Sequence, residues 1–326
     1  MIYNQWYIIL DSKELNKKPI GIKRLNENLA LWRDKDGKAC CISDICCHRG
    51  AALSKGKLVN SHLECPFHGF LFDSQGKVKL IPANGKAKPV PEAMKVKYYR
   101  VYENYGFIFI WWGDSEKATD KPAFFEELSE YSYSGFYRPW QVHYSRAIEN
   151  QLDVVHVPFV HKTTIGRGNK TLVNGPVVKV NENRLIFYVN NVPDDGKTIA
   201  KKPGEIKDYQ NFFRLSFIFP NYWQNYISDK IRAFAAFVPV DEENTIIYIR
   251  YYQNLIRIPV LKQLMNFAGK ISSIIILNQD KRVVITQLPK KSRLSMGEHL
   301  IPGDKPILEY RKIRQKLIEI NNPAEI

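Results

Sequence analysis

Two short arms, each with one cysteine and one histidine, constrain this chain more than any other feature. Cys46 and His48 form the first arm and Cys65 and His68 the second, in the pattern C-x-H, sixteen residues, C-x-x-H. Such a set can bind zinc or a two-iron cluster. Zinc fingers usually pair Cys with Cys and His with His along the chain, whereas each arm here carries one of each. The mixed order favours a clamp around two irons, with two thiolates on one iron and two imidazoles on the other.

The residues around the two arms carry a family resemblance. The first arm continues as HRG and the second reads PFHG, and both resemble the Rieske [2Fe–2S] motif. Rieske proteins of respiratory complexes have an additional, disulfide-bonded Cys in each arm, but Phe67 stands at that place in the second arm. The arms therefore resemble those of Rieske oxygenases and their ferredoxins. The resemblance implies that Cys46, His48, Cys65 and His68 bind the cluster.

Length and composition limit the class of protein. A chain of 326 residues favours two domains, and 44% hydrophobic with 25% charged residues describes a globular protein with a sizeable core. The five cysteines all lie between positions 40 and 65, which favours a metal site over a disulfide scaffold and predicts a reducing compartment. The first residues do not resemble a signal peptide, and no uninterrupted apolar run approaches the length of a membrane span. The sequence therefore predicts a cytoplasmic protein with no membrane partner.

The formal net charge of +15 has two interpretations. Nucleic-acid-binding proteins are often this basic. Here the Lys and Arg residues are spread along the chain without a dense run or a recognised binding motif. The charge therefore favours a basic surface that receives an acidic protein partner, and no nucleic acid is expected as a ligand.

Residues 1–115 are predicted to form an all-β domain. Short aromatic and β-branched runs are separated by turns at 34–38 and 74–77, where Gly supplies a positive φ. The predicted strands cover residues 6–10, 29–33, 70–73, 98–102 and 106–112. A polar segment at 114–121 is predicted to be the linker to a second domain, which spans residues 116–326.

A second group of potential metal ligands follows the linker. Asp153 and His156 are three residues apart, so they share one face if the segment is a helix. Pro158 is expected to end or kink that helix, which brings His161 beside His156. Two His and one carboxylate on one side of a metal are typical of non-haem Fe(II) oxygenases. Asp280, which interrupts an apolar, helix-like stretch, is the expected carboxylate.

Taken together, the motifs resemble the α subunit of Rieske non-haem iron oxygenases over nearly the whole chain. The three-residue step from Asn150 to Asp153 resembles the vanillate O-demethylase and phthalate dioxygenase branch, and segments 211–214 and 239–244 are similar to hydroxylases of guanidinium-alkaloid toxin pathways. The resemblance implies that His156, His161 and Asp280 bind a mononuclear Fe(II). It further implies a homotrimer in which Asp153 passes electrons from a neighbouring subunit's cluster, with Asn150 close to the iron.

The same resemblance implies an α+β chain. Its second domain is expected to be a curved, helix-grip-like antiparallel sheet packed with helices. Strands are predicted at residues 185–189, 211–219, 231–240 and 245–252, and helices at 257–287 and 306–320. Six aromatic residues either line a substrate cavity or, for most of them, belong to the core of the sheet. They are Phe212, Phe213, Phe217, Phe219, Tyr222 and Trp223.

The predicted activity uses O2 and externally supplied electrons to hydroxylate or oxidatively dealkylate a small aromatic or alkaloid-like molecule. The chain contains no dinucleotide-binding fingerprint and no plant-type ferredoxin motif, so a separate ferredoxin or flavin reductase is expected. The alternative is a Rieske electron-transfer protein without oxygenase activity. That alternative requires only about 110 residues and leaves His156, His161 and Asp280 without a role.

Overall fold

The computed structural model describes residues 1–321, which pack into two compact units. The first comprises Tyr3–Pro122 with Met1 and Pro239–Asp241, and the second begins at Ala123. The segment predicted as a linker, residues 114–121, belongs to the first unit by its packing. The predicted boundary between residues 115 and 116 stays a prediction, and the last five residues of the predicted second domain lie outside the described residues.

The first unit is built from three small antiparallel sheets, as its alternating and aromatic-rich runs predicted. Their strand orders are β1-β11-β10, β2-β3-β4-β9 and β5-β6-β7-β8. The strands are β1 (Gln5–Asp11), β2 (Ile20–Arg24), β3 (Glu27–Arg33), β4 (Ala39–Ser43), β5 (Lys57–Val59), β6 (His62–Glu64), β7 (Leu71–Phe72), β8 (Val78–Leu80), β9 (Tyr98–Tyr99), β10 (Val101–Asn104) and β11 (Phe107–Trp112).

The core of the first unit reaches directly to the two cysteine-containing arms. Cys46 and Cys65 are buried in the same apolar cluster as Trp32 of β3 and Phe72 of β7. Each arm therefore has a fixed, buried cysteine end, since close packing resists displacement of side chains inside the cluster. The histidine end of each arm is exposed.

The second unit contains one seven-stranded sheet with the order β12-β18-β17-β16-β15-β14-β13. Neighbouring strands pair antiparallel, so the predicted α+β architecture is confirmed. The strands are β12 (Ser132–Trp140), β13 (Leu172–Asn181), β14 (Arg184–Val192), β15 (Phe213–Ile218), β16 (Tyr222–Ser228), β17 (Ile231–Pro239) and β18 (Thr245–Gln253).

Within residues 1–321, four helices accompany this sheet: α1 (Tyr144–Leu152), α2 (Val157–Val160), α3 (Pro259–Val284) and α4 (Lys305–Asn321). The expectation that Asp153 and His156 share a helix ended by Pro158 is wrong. Helix α1 ends at Leu152, Asp153 has an extended backbone, and Pro158 lies in the first turn of α2. A proline is tolerated there because the first backbone N–H groups of a helix have no intrahelical acceptor.

Buried ion pairs fix α1 against α4. The Arg311 guanidinium contacts the Glu149 carboxylate, with Nε 2.7 Å from Oε1, and Arg146 contacts the same carboxylate at 3.0 Å. Both arginines and Glu149 are buried, so removal of one partner would leave an uncompensated charge in the core. These contacts hold the last turn of α1, which carries Asn150.

Helix α3 lies on the sheet over strands β12 and β18. A Cβ atom at Gly269 would lie 2.2 Å from the Tyr251 ring, so only glycine permits this approach. The opposite side of α3 is exposed and includes Val260, Leu264 and Phe267. Among residues 1–321, α3 is long and apolar enough to cross a membrane by length and composition alone, although it contains no long uninterrupted apolar run.

Candidate metal centres and substrate cavity

The two arms of the first unit have the same backbone conformation. In the first arm, Gly50 N–H donates to the Cys46 carbonyl at 2.9 Å; in the second, Gly69 N–H donates to the Cys65 carbonyl at 3.0 Å. Both glycines have a positive φ, 72° and 73°, which other residues adopt only with strain. The first glycine of each predicted motif is thus needed to close its loop.

The four predicted cluster ligands come together at the tips of these loops. The His48 and His68 ring centroids are 4.6 Å apart, and the His48 ring also stacks on Phe70. The thiol of Cys46 lies within hydrogen-bonding reach of Cys65, and burial is the main reason that its pKa rises to about 11. Two buried thiols held this close together fit a site that is completed by a positively charged metal group, which would bind them as thiolates.

In the second unit, the segment after α1, helix α2 and helix α3 together build a three-residue centre. The potential ligand atoms of His156, His161 and Asp280 all lie within 4.8 Å of one another. Oδ1 of Asp280 is 3.0 Å from Nε2 of His161 and 3.5 Å from Nε2 of His156, and the two Nε2 atoms are 3.3 Å apart. Ligand atoms at right angles around a first-row divalent ion, each about 2.1 Å away, are about 3 Å apart. The arrangement fits such an ion.

Charges around this centre reinforce the fit. Burial opposes ionisation, but the Asp153 and Asp280 carboxylates raise the pKa of His156 to about 9. In the same way, His156 and His161 outweigh the effect of burial and lower the pKa of Asp280 to about 2. A proton on His156 therefore supplies, in the metal-free protein, the positive charge that the buried carboxylate requires. A bound cation replaces that proton.

A neighbouring residue that sequence analysis missed sets the orientation of His161. The Nδ1 atom of His161 lies 2.8 Å from Oε1 of Gln279, and the Thr164 hydroxyl donates to the same oxygen at 2.9 Å. Because Oε1 can only accept, Nδ1 carries the proton and the lone pair on Nε2 faces the centre. The sequence offered one indication of this role, which is that Gln279 directly precedes the predicted ligand Asp280.

Asp153 and Asn150 also lie beside this centre, and the roles expected of them stay predictions. Asp153 Oδ1 accepts hydrogen bonds from Val155 N and His156 N, and its Oδ2 is 3.5 Å from Nδ1 of His156. Asn150 lines the adjoining cavity, and its Nδ2 is buried without a hydrogen-bonding partner within the described chain. Asp153 thus holds the segment that carries His156, although it is not one of the three grouped ligands.

A cavity of about 710 Å³ opens beside the three-residue centre and continues between α3 and the sheet. Alternate residues of the strands face it, including Leu215, Trp223 and Ile249, because successive side chains of a strand point to opposite faces. Of the six aromatic residues considered from sequence, Phe212, Phe213 and Trp223 line the cavity. The other three are buried in the core, so half of the six line the cavity although most were expected in the core.

Comparisons with known proteins match both units. Residues 5–99 match the Rieske [2Fe-2S] domain, and residues 140–320 match the vanillate O-demethylase oxygenase C-terminal domain. Over 164 residues, 49% of the chain, it is 36% identical to dicamba O-demethylase, oxygenase component, of Stenotrophomonas maltophilia, and covers 48% of that protein. It is 32% identical over 197 residues, 58% of the chain, to a vanillate O-demethylase oxygenase subunit from a Pseudomonas species, and covers 53% of it. These alignments span about half of each curated relative.

Solved structures match the whole fold. The crystal structure of dicamba monooxygenase bound to dicamba has a TM-score of 0.77 at 21% identity, and the match covers 99% of this chain and 99% of that chain. Pseudomonas putida CBB5 NdmA, as a QL mutant with caffeine, has a TM-score of 0.81 at 23% identity, with 98% of this chain and 92% of that chain covered. With both domain models matched in order, the chain belongs to the Rieske non-haem iron oxygenases, in the family defined by the vanillate O-demethylase oxygenase C-terminal domain.

Proposed function

We propose that this chain is the oxygenase component of a Rieske-type monooxygenase. It uses O2 and electrons from a separate protein to hydroxylate or oxidatively dealkylate a small organic molecule. One observation carries the proposal: the three converging ligand atoms of His156, His161 and Asp280 lie beside a large, mainly apolar cavity. An electron-transfer protein requires neither this centre nor the cavity.

Each metal centre has its own set of residues in this proposal. Cys46 and Cys65 hold one iron of the cluster, and His48 and His68 hold the other. His156, His161 and Asp280 hold the mononuclear Fe(II) on one side. When bound, the cluster supplies single electrons and the mononuclear iron activates O2.

The protein's own groups prepare the mononuclear centre. Gln279 fixes the tautomer of His161 by accepting its Nδ1 proton, so that Nε2 presents a lone pair. Gln151 donates from Nε2 to Oδ2 of Asp280 at 3.4 Å, which leaves Oδ1 directed at the two imidazoles. Val157, Pro158 and Leu277 line the cavity together with the three ligands and provide an apolar surface that can hold a substrate carbon beside the centre.

Assembly and electron entry belong to the same proposal. Asp153 is only partly covered, with 27% of its side chain exposed, so one face is accessible to another subunit. We place a cluster histidine of a neighbouring subunit there, His48 or His68, which requires a ring, proposed as a homotrimer. A ferredoxin or flavin reductase would dock on the basic surface, and the cytoplasm is the proposed location because the five cysteines are free thiols.

The decisive experiment combines metal analysis with turnover. The anaerobically purified chain is expected to contain about three irons, two acid-labile sulfides and no stoichiometric zinc, as the two ligand sets require. With a reductase and candidate aromatic, methoxylated and alkaloid substrates, O2 consumption should match product formation. A protein with a full cluster but no iron in the second unit would support the electron-transfer alternative instead.

A further inference from the structure

The cavity wall contains polar atoms that no protein group satisfies. Trp223 is 6% exposed, lines the cavity, and its indole Nε1 has no hydrogen-bonding partner within residues 1–321. The Oδ1 atom of Asn225, which lines the same wall, is also buried without a partner. Leaving a buried donor or acceptor unpaired is unfavourable, because the group loses its hydrogen bonds to water and gains none in return.

The sheet register explains why protein groups cannot satisfy these atoms. Trp223 lies opposite Phe217 and Ala235, and Asn225 lies opposite Leu215 and Ala233, so every cross-strand neighbour is apolar. Trp223 and Asn225 are alternate residues of β16 and face the same side of the sheet. Their natural partner is therefore a molecule in the cavity.

The charges of the cavity wall indicate which kind of molecule fits. Apart from Asp153 and the three residues of the metal centre, the charged residues that line the cavity within the described chain are Arg167 and Lys170, and both are exposed. Other polar lining residues are neutral amides, such as Asn191, whose Oδ1 is also buried and unpartnered. A carboxylate or sulfonate in this part of the cavity would lose its hydration without gaining a cation. The lining therefore favours an uncharged ligand.

We propose that the substrate of the proposed oxygenase is uncharged and carries a carbonyl next to an N–H, as in a secondary amide, lactam or ureide. Its carbonyl accepts from Nε1–H of Trp223, and its N–H donates to Oδ1 of Asn225. The Cα atoms of alternate strand residues are about 7 Å apart, and their side chains leave the same face. A lactam presents its C=O and N–H on one edge, so the carbonyl can face Trp223 while the N–H faces Asn225. The two residues are positioning residues, since they hold the substrate and do not touch the metal centre.

The inference rests on the proposed function, and an equilibrium binding test keeps the two separable. Binding would be measured by calorimetry on the iron-loaded protein without O2, using four probes of similar size: 2-quinolone, N-methyl-2-quinolone, naphthalene and 2-naphthoate. We expect 2-quinolone to bind about tenfold more tightly than its N-methyl analogue, which lacks the N–H, because one net hydrogen bond is worth about this factor. Naphthalene and 2-naphthoate should bind more weakly still.

Matched variants assign the effect to the two residues. Trp223→Phe should weaken 2-quinolone binding about tenfold, and Asn225→Leu should remove the preference over the N-methyl analogue. Trp140→Phe is the control, because the Trp140 indole N–H is likewise buried and unpartnered but does not line the cavity. It should leave binding unchanged.

Tighter binding of 2-naphthoate than of 2-quinolone, or equal affinities in wild type and both cavity variants, would overturn the inference. Binding as expected without any O2 consumption on a cluster-loaded protein would support this site and overturn the proposed oxygenase function. Turnover of many substrates without a preference for an amide would support the proposed oxygenase function and overturn this binding site.

Discussion

The Nδ1 atom of His161 is 2.8 Å from the side-chain oxygen of Gln279, which directly precedes Asp280 on α3. Gln279 therefore orients the His161 imidazole, and the adjacent Asp280 is a potential ligand at the same metal centre. A substitution at Gln279 is therefore expected to alter the orientation of His161 without removing a potential metal ligand.

Gln279→Leu is expected to lower the affinity of the second unit for iron by about 10- to 100-fold, as loss of a partner that orients a ligand usually does. Iron titration of the metal-depleted protein measures this directly. Gln279→Glu, which keeps an acceptor, should retain most of the affinity. The control is Asn278→Leu, because Asn278 is the exposed preceding residue on α3. Equal iron affinity in the Leu variant and wild type would contradict the orienting role.

Replacement of one ligand in each unit should separate the two centres. His156→Ala is expected to keep the visible spectrum of the cluster and to abolish product formation, because His156 belongs to the other ligand set. His68→Ala should bleach the cluster. Asp280→Ala tests the carboxylate and should resemble His156→Ala. Normal turnover in either His156→Ala or Asp280→Ala would show that the proposed ligand set is wrong.

Asp153→Asn is expected to block electron transfer between subunits while leaving both metal centres loaded. An Asn side chain retains an oxygen that can accept from the N–H groups of Val155 and His156, so the local backbone should stay in place. The readout is single-turnover oxidation of the reduced cluster, which should stall. Iron content, cluster spectrum and oligomeric state serve as controls. A monomeric wild-type enzyme with full activity would falsify the inter-subunit route.

Electron delivery should depend on ionic strength if the basic surface receives the reductase. The chain has a formal net charge of +15, and exposed charges are screened beyond about 8 Å at physiological ionic strength. We expect the second-order rate of cluster reduction to fall as salt rises, while the substrate-binding constant of an uncharged ligand changes little. A reduction rate that is independent of salt would exclude electrostatic docking.

His143 should make the second unit sensitive to acid. Burial, and then the positive charges of Arg314 and Lys291, lower the pKa of His143 to about 2, although the half-exposed Glu242 lies 3.7 Å away. The unfolded chain therefore binds a proton below pH 6.5 that the folded chain does not, and stability falls as the pH decreases through that range. Between pH 7.5 and pH 5.0 this group alone should lower the free energy of unfolding by about 2 kcal/mol.

The measurement compares urea unfolding at these two pH values in wild type and His143→Asn. Asn preserves an acceptor for Ser145 N–H at the start of α1, where the His143 side chain now caps the helix. Between pH 7.5 and pH 5.0, the free energy of unfolding of His143→Asn should fall by about 2 kcal/mol less than that of wild type. His299→Asn is the control, because His299 is exposed. An unchanged pH dependence in His143→Asn would contradict the assignment.

The cluster ligands, the family and the order of the domains could be predicted from local sequence patterns. This was possible because the arms around Cys46 and Cys65 are local loops, in which ligand spacing and the turn glycines lie within a few residues of each other. The strand and helix predictions succeeded for a similar reason, since alternation and helical periodicity reflect local burial. The prediction of a helix across Asp153 was wrong because a proline can either end a helix or stand in its first turn. Only the structure shows that Pro158 stands in the first turn of α2.

The residues that surround the second centre come together through the packing of distant parts of the chain. Asp280 follows His161 by more than a hundred residues, and no spacing rule links Gln279 to an imidazole on another helix. The buried, unpartnered groups of Trp223 and Asn225 were equally invisible, because satisfaction of a hydrogen bond depends on which strands flank β16. Local patterns encode conformation, whereas the cavity and its polar contacts arise from how the sheet and α3 pack together.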